Sequence, residues 1–270
     1  MKNKLLSQNI IRDLFLLHMA FALISCEKVI SVDLNSAASR IVIESSISDQ
    51  PGPYYVMLSQ TVNFDQTNTF PPVSGAIVII SDNVGNTDSL TEISPGMYKT
   101  KSIQGMPGRT YTIKVKSGGQ EYTAISTMPN PVEILSLSNN VQSFGRDKIK
   151  YINVDFKDSS GIKNYYRFVE VRNGTVLPYT FLFDDRIQDG GVITSSLLAN
   201  QDTLNTGDSV VVQLQCIDKG VFDYFRTIRV ASGGGGPAAT SPANPVSNFT
   251  NGALGFFSAY AVRSKLIIIK

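Results

Sequence analysis

Histidine, tryptophan and cysteine are scarce in this chain, and their scarcity excludes several kinds of active site. The 270 residues include one histidine, two cysteines and no tryptophan. The histidine, His18, lies in an N-terminal segment that we expect to be removed on export. A mature chain without histidine cannot form a Ser-His-Asp or Cys-His catalytic group, or a zinc site with a histidine ligand. Enzymes that use paired carboxylates, such as most glycosidases, are not excluded by this argument.

Residues 1–26 have the three parts of a secretory signal peptide. A basic start, Met-Lys-Asn-Lys, is followed by the apolar stretch Leu14–Ile24 and by the small residue Ser25 before Cys26. A helix needs roughly 20 apolar residues to cross a bilayer, so this shorter stretch predicts a signal peptide rather than a retained anchor helix. The last four residues, Leu-Ile-Ser-Cys, resemble a bacterial lipobox. The sequence therefore predicts cleavage between Ser25 and Cys26 and anchoring to a lipid bilayer through the acylated Cys26 thiol.

The net charge of the chain falls to zero once the predicted signal peptide is removed. Residues 1–25 carry Lys2, Lys4, Arg12 and Asp13, a net charge of +2 that equals the formal net charge of the whole chain. The mature protein is therefore neutral, and its sequence contains no run of lysine and arginine. Such a chain gives no electrostatic reason to bind nucleic acid or an anionic headgroup patch. We expect no nucleic-acid partner.

The second cysteine, Cys216, has no disulfide partner once Cys26 is acylated. It ends a predicted strand in which three apolar residues share its face: Val210, Val212 and Leu214. A cysteine in this setting behaves as a small buried hydrophobe rather than as a reactive thiol. We therefore predict a buried, unreactive thiol.

From residue 40 onward, short segments of alternating polar and apolar residues are separated by turn residues. The clearest alternation places Tyr111, Ile113 and Val115 on one face of a strand. Seven such segments within 90 residues predict a β-sandwich domain over residues 40–127, after a polar lipidated tether at 26–39. The predicted strands are Arg40–Ile47, Tyr54–Thr61, Gly75–Ser81, Thr87–Ile93, Tyr98–Ile103, Arg109–Lys116 and Gln120–Thr127.

Two prolines in Met128-Pro129-Asn130-Pro131 interrupt the strand pattern and predict a linker at residues 128–132. Residues 133–270 then predict a second β-rich domain with one short amphipathic helix, Lys219–Val230, capped by Asp218. Covering a sheet is the expected use of this helix, and lying on a membrane surface is the alternative. The predicted strands of this part are Ile134–Ser138, Lys148–Lys157, Lys163–Arg172, Leu177–Asp184, Val192–Leu198, Ser209–Ile217, Ala253–Val262 and Lys265–Ile269.

Two motifs look like ligand loops but fit simpler structures. Gly233–Pro237 is glycine-rich, but a phosphate loop follows a strand and opens a helix with Lys-Ser or Lys-Thr, and here a helix precedes and prolines follow. The oxygen-rich segment Asp82–Asp88 lacks the later bidentate carboxylate of a calcium loop and lies between strands. We predict a loop at the first motif and a hairpin turn, with Gly85 in the left-handed region, at the second.

Carboxylates and tyrosines supply the remaining candidate residues. Asp184, Asp185 and Asp189 are interpreted as solvated loop acids, because sequence cannot place two of them 5 to about 9.5 Å apart across a cleft as a glycosidase requires. Exposed tyrosines can stack on a sugar ring, although the absence of tryptophan weakens this reading. The candidates for stacking are Tyr54, Tyr165 and Tyr179. The sequence predicts no catalytic residue, metal ligand or cofactor.

Many short motifs in one order resemble a known family of bacterial lipoproteins. They are Cys26–Ile30, Ser48–Tyr54, Val73–Ala76, Ser81–Asn83, Glu92–Tyr98, Pro107–Tyr111, Ser126–Pro129, Ser247–Phe249 and Gly252–Phe257. Together they resemble the Bacteroidota lipoproteins catalogued as a domain of unknown function, DUF4249. The stretch Val73–Val115 is also similar to carboxypeptidase-regulatory or transthyretin-like domains, which implies an Ig-like or transthyretin-like sandwich for the first domain.

This resemblance implies an outer-membrane lipoprotein that is often encoded beside a TonB-dependent receptor. The family has no assigned activity, so Cys26 is the one functional residue carried over. Surface-exported lipoproteins of this phylum often have lysine followed by acidic residues after that cysteine, whereas Lys28 is followed here by Val29. The sequence thus leaves the cell surface and the periplasmic face both open as locations.

The sequence as a whole favours a non-enzymatic accessory or binding lipoprotein associated with a TonB-dependent transporter. A surface glycan-binding module is the alternative, and a carboxylate-dependent hydrolase is a third hypothesis.

Overall fold

The computed structural model describes residues 38–63, 69–145, 147–186, 188–199, 204–230 and 244–270. The predicted signal peptide, Ser25, Cys26, most of the tether and the glycine-rich motif lie outside these residues. The strands are β1 (Ile41–Ser48), β2 (Tyr55–Gln60), β3 (Ile77–Asp82), β4 (Thr87–Ser89), β5 (Thr91–Ser94), β6 (Met97–Lys99), β7 (Thr110–Ser117), β8 (Gln120–Thr127), β9 (Ile134–Phe144), β10 (Asp147–Asp158), β11 (Tyr165–Arg172), β12 (Thr175–Val176), β13 (Phe181–Asp184), β14 (Gly191–Leu197), β15 (Ser209–Ile217) and β16 (Leu254–Ile268), with one helix, α1 (Lys219–Arg229), between the last two.

Three sheets are formed by these strands, which confirms the all-β class with one short helix. A nine-stranded sheet has the order β12-β11-β15-β16-β1-β2-β6-β5, with β13 also paired to β11. A four-stranded sheet has the order β4-β3-β7-β8, and a three-stranded sheet the order β14-β10-β9. Among the described strand pairs, β1 and β16 run parallel and the others antiparallel.

The core lies between the nine-stranded sheet and the two smaller sheets. On β7 the alternation is as predicted, since Tyr111, Ile113 and Val115 are fully buried. They join Ile43 of β1 in one core cluster. The ring of Phe156, on β10 of the three-stranded sheet, packs against Tyr166 and Phe168 on β11 of the nine-stranded sheet. Burial of one face of each strand, at about 25 cal/mol per Å² of apolar surface, is the main stabilising contribution here.

The predicted boundary at residues 128–132 does not separate two independent cores. Strand β16 lies between β15 and β1, so one sheet takes strands from both sides of that segment. Met128 is fully buried and Val132 nearly so, and residues Ala38–Lys270 form one compact unit. The two segments predicted near the C-terminus are a single strand of 15 residues, long enough to pair with both neighbours. The segment 128–132 is a packed connection between β8 and β9.

Other predicted strands also differ from the structure, and of the predicted strand Tyr98–Ile103 only the first two residues lie in β6. The predicted strand Thr87–Ile93 is two strands, because the chain crosses from the four-stranded sheet to the nine-stranded sheet after β4. Leu90, at the crossing, is buried and its N–H donates to the carbonyl of Val78. Only the last four residues of the predicted strand Leu177–Asp184 form β13. The predicted hairpin turn between β3 and β4 is confirmed, with Gly85 at φ +97°.

Helix α1 covers the outer face of the nine-stranded sheet, as predicted. The Asp218 carboxylate accepts a hydrogen bond from the Val221 N–H at 2.9 Å, which caps the helix. Val221, Phe222, Tyr224 and Phe225 are buried. They pack with residues of β11, β13 and β16: Tyr165, Leu182, Phe256 and Tyr260. No helix among the described residues has both the length and the apolar character needed to cross a bilayer.

Candidate functional site

A cavity of about 380 Å³, which we call the junction pocket, lies where the two halves of the chain meet. The two halves are the residues before and after the segment 128–132. Its walls are the connection from β8 to β9, the loop from β10 to β11 and the turn from β15 into α1. Tyr166 and Cys216 contribute to it, and Ile162, Lys163 and Lys219 are exposed lining residues. The mixture of apolar and polar lining at a junction is typical of small-molecule sites.

Asp218 holds the two halves together beside this pocket. Besides capping α1, its carboxylate accepts hydrogen bonds from the Thr127 N–H at 3.2 Å and from the Ser126 hydroxyl. The Ser126 hydroxyl oxygen in turn accepts from the Ala259 N–H of β16 at 2.8 Å. One side chain thereby connects β8, β16 and the start of α1. The sequence predicted the cap but not the contacts across the junction.

Cys216 is buried and unpaired, as its strand position predicts. Val210, Val212 and Leu214 on the same face of β15 are also fully buried. Burial raises the pKa of the thiol to about 12, against a smaller opposing effect of the Val132 backbone hydrogen bond. The thiol is therefore protonated at neutral pH and is a weak nucleophile.

Three carboxylates form a cluster next to the junction pocket. One oxygen from each of Asp158, Asp185 and Asp189 lies within 4.8 Å of the others, and the first two residues are buried. The Asp158 carboxylate accepts from the Tyr166 hydroxyl and from the Gly190 N–H at 2.8 Å. These carboxylates are the group among the described residues that could hold a cation. None of them lines the junction pocket.

The other two carboxylates of the cluster, Asp185 and Asp189, are held in place by hydrogen bonds from backbone N–H groups. The Asp185 carboxylate accepts from the Asn164 N–H at 2.7 Å, and the Asp189 carboxylate accepts from the Gly161 N–H at 2.9 Å. The cluster thus orders the loop between β10 and β11. The interpretation of Asp185 as a solvated loop acid is wrong, because its residue is only 6% exposed. Asp184 lies in β13 and pairs with Arg186, and only Asp189 is an exposed loop acid.

The three candidate stacking tyrosines do not form one platform. Tyr54 is 7% exposed, and its hydroxyl oxygen lies 2.8 Å from the carbonyl oxygen of Ser48 in the core. Its selection as a stacking residue is therefore wrong. Tyr179 is half-buried and its ring lies 6.5 Å from that of Phe181, at the start of β13. Tyr165 is half-buried at the start of β11 and lines the junction pocket.

A second, smaller cavity of about 190 Å³ lies between α1 and the sheet, and we call it the helix groove. It shares three lining residues with the junction pocket: Lys163, Tyr165 and Lys219. Its other lining residues are Asp184, Arg186, Phe222, Asp223 and Arg226. From the sequence, Tyr165 and Asp184 were named separately, but these lining residues were not joined into a site, because they come from three separate segments with no shared motif.

Comparison with known families identifies the chain. The family model described as "Domain of unknown function (DUF4249)" matches residues 27–266. The chain belongs to the DUF4249 family. The resemblance inferred from the short motifs is therefore confirmed at the level of the family, and the match spans both halves of the structure. No curated protein matches this DUF4249 protein.

Among solved structures, the DUF4249 protein is similar to the adhesin InvE of Yersinia pseudotuberculosis. The two chains are 16% identical, and the similarity covers 65% of this chain and 55% of the adhesin chain. The TM-score is 0.22, so the likeness carries no argument about fold or function.

Proposed function

We propose that this DUF4249 protein is a lipid-anchored, non-enzymatic binding component of the outer membrane that works beside a TonB-dependent receptor. The observation that carries the proposal is the position of the predicted acylation site. The family match begins at residue 27, directly after the lipobox that ends at Cys26. In this proposal the predicted tether, residues 26–39, joins the anchor to the residues that the structure describes. The junction pocket and the helix groove supply places where such a component binds a small ligand.

Replacing Cys26 with serine is expected to abolish incorporation of labelled palmitate and to leave the unprocessed precursor. The reason is that acylation needs the thiol, and each buried CH₂ of an acyl chain contributes about 0.8 kcal/mol to membrane anchoring. The measurement is metabolic labelling followed by fractionation of membranes. Cys216→Ser is the matched control, since it removes the other cysteine and should leave labelling unchanged. Continued labelling of Cys26→Ser would refute the lipobox.

Isolation of the protein from detergent-solubilised membranes, at native expression, is expected to recover a TonB-dependent receptor. The partner is expected because the resemblance to the family implies a lipoprotein that is often encoded beside such a receptor. The measurement is affinity isolation followed by mass spectrometry, with Cys26→Ser as the comparison in which membrane co-localisation is lost. Isolates that contain no receptor, while the lipidated protein itself is recovered in full, would contradict the association.

A surface glycan-binding module is the second candidate function, and one observation favours it. Of the three tyrosines selected from the sequence, Tyr165 is half-buried and lines both cavities. Its ring packs against Phe222, with the centroids 5.1 Å apart, so its position is set by the core of α1. A tyrosine held in this way can stack on a sugar ring without first being ordered.

A further inference from the structure

The helix groove is built from three separate segments of the chain. Lys163 comes from the loop before β11, and Tyr165 begins that strand. Asp184 and Arg186 lie at and just beyond the end of β13. The first two turns of α1 supply the remaining side chains, which are Lys219, Phe222, Asp223 and Arg226. Packing of the helix on the sheet holds these segments in place, so the groove is a preformed feature of the fold.

Positive charge is concentrated in this groove. Four cationic and two carboxylate side chains line it, an excess of two positive charges in a chain whose predicted mature form has no net charge. The Arg186 Nε lies 2.8 Å from a carboxylate oxygen of Asp184. Asp223 is shared by two cations, Lys219 and Arg226. The Lys163 ammonium forms no ion pair with any described residue.

An aromatic surface lies among these charges. Phe222 is 7% exposed and supports the ring of Tyr165, with an angle of 46° between the two rings. Arg186 and Lys219 line the groove together with Tyr165. The groove therefore offers an aromatic face, cations and hydrogen-bond acceptors within one small volume.

We propose that the helix groove binds a monosaccharide ring that carries an anionic group, a carboxylate or a phosphate. The ring packs on Tyr165, and the anion pairs with Lys163 and the neighbouring cations. This inference rests on the proposed function of a binding component and deepens it by naming the ligand class. The volume of about 190 Å³ is below the range of pockets for drug-sized ligands, which suits a single ring.

The composition of the groove favours an acidic monosaccharide over a simple inorganic anion and over a neutral sugar. A simple inorganic anion would make no hydrogen bond to Asp184 or Asp223, whereas both carboxylates can accept hydrogen bonds from the hydroxyl groups of a sugar. A neutral sugar would leave the excess positive charge without a partner. A ring that combines hydroxyl groups with one anionic group matches both sets of side chains, and the anion forms charge-assisted hydrogen bonds.

Calorimetric titration of the lipidated full-length protein in detergent tests the proposal with three probes: glucuronate, glucose 6-phosphate and glucose. We expect at least one of the two acidic sugars to bind about tenfold more tightly than glucose, and its affinity to fall as salt is added. Binding of glucuronate alone would identify a carboxylate ligand, and binding of glucose 6-phosphate alone a phosphate ligand. Equal affinity for all three, or binding of none at millimolar concentration, would overturn the proposal.

Lys163→Gln is the deciding variant, because Lys163 forms no ion pair with another described residue whose loss would disturb the fold. It is expected to weaken binding of the acidic sugar about tenfold and to leave glucose unchanged. Lys114→Gln is the matched control, since Lys114 is exposed on the four-stranded sheet, outside both cavities. Unchanged affinity in Lys163→Gln would overturn the proposal. The titration needs neither a membrane nor a receptor, so its failure is distinguishable from a failure of the proposed function.

Discussion

Replacing Gly255 with alanine is expected to lower the free energy of unfolding by about 4 kcal/mol or more. Gly255 lies on β16 opposite Ile43 of the parallel neighbour β1. A Cβ atom at Gly255 would lie 2.0 Å from the Ile43 carbonyl oxygen and 2.7 Å from its carbonyl carbon. These are backbone atoms of a paired strand, so no side-chain rotation relieves the clash. The substitution would force β1 and β16 apart where the two halves of the chain join.

The matched control for this prediction is Gly207→Ala. Gly207 has φ +94°, close to the φ of +92° at Gly255, but nothing lies within 4 Å of the added Cβ. The Gly207→Ala variant therefore measures only the strain of placing alanine at a positive φ, which costs about 1–3 kcal/mol. Urea unfolding followed by far-UV circular dichroism measures both variants. Equal losses in the two variants would show that the close approach of β1 does not restrict position 255.

The Asp88→Ala variant is expected to lose about 3–5 kcal/mol of stability at pH 7. Asp88 is 3% exposed, and one of its carboxylate oxygens accepts three backbone hydrogen bonds. The donors are the N–H groups of Lys101, Ser102 and Ile103, at 2.7, 2.7 and 3.0 Å. Alanine would leave these donors without their acceptor, and unsatisfied buried groups are costly. The carboxylate also lies just before the point where the chain crosses between sheets.

The loss in Asp88→Ala should depend on pH. Burial alone would raise the pKa of Asp88, but the three backbone hydrogen bonds outweigh it and hold the pKa below the ordinary value of 3.8. A carboxyl whose pKa is lowered by folding stabilises the fold above its ordinary pKa, and this contribution is lost as the pH falls through the folded-state pKa. The difference between wild type and Asp88→Ala should therefore be full at pH 7 and shrink below pH 3.8.

Asp88→Asn is the control for the Asp88 prediction. The amide oxygen keeps an acceptor of the same shape but has no charge, so we expect a smaller loss of stability than in Asp88→Ala. The difference between the two variants should not vary with pH between 7 and 3, because neither has a charge at position 88. Urea unfolding at several pH values measures all three proteins. A difference between wild type and Asp88→Ala that stays constant from pH 7 to pH 3 would contradict the role of the charge.

Local pattern was sufficient to predict most of the strands and the helix. Strands such as β7, β8 and β15 were predicted to within one residue, because alternation of polar and apolar side chains records burial of one face. The predicted helix ends one residue later than α1 does, and its cap is the predicted Asp218. Asp88 shows the limit of this reasoning, because its partners are backbone N–H groups that pattern does not reveal.

Pairing between distant strands was not predictable in this way. The prolines near residue 130 suggested a domain boundary, yet β16 returns to pair with β1 and closes one unit. The prediction that Tyr54 is an exposed stacking residue was wrong for a related reason. Either residue of Tyr54-Tyr55 could face outward, and the structure buries Tyr54 and leaves Tyr55 45% exposed. Asp185 was taken for a solvated acid because its backbone donors lie in a different loop.

The sequence by itself predicted an export signal, acylation at Cys26 and removal of the only histidine, and it indicated the family that the family model then showed. It also determined that Cys216 is buried, since the pattern of a single strand is local information. Tertiary structure alone decided where charge is concentrated. The predicted mature chain has no net charge, but packing of α1 on the sheet brings Lys163, Arg186 and Arg226 around Tyr165. Electrostatic potential depends on distance in space rather than on separation along the chain, so only the folded structure could reveal this groove.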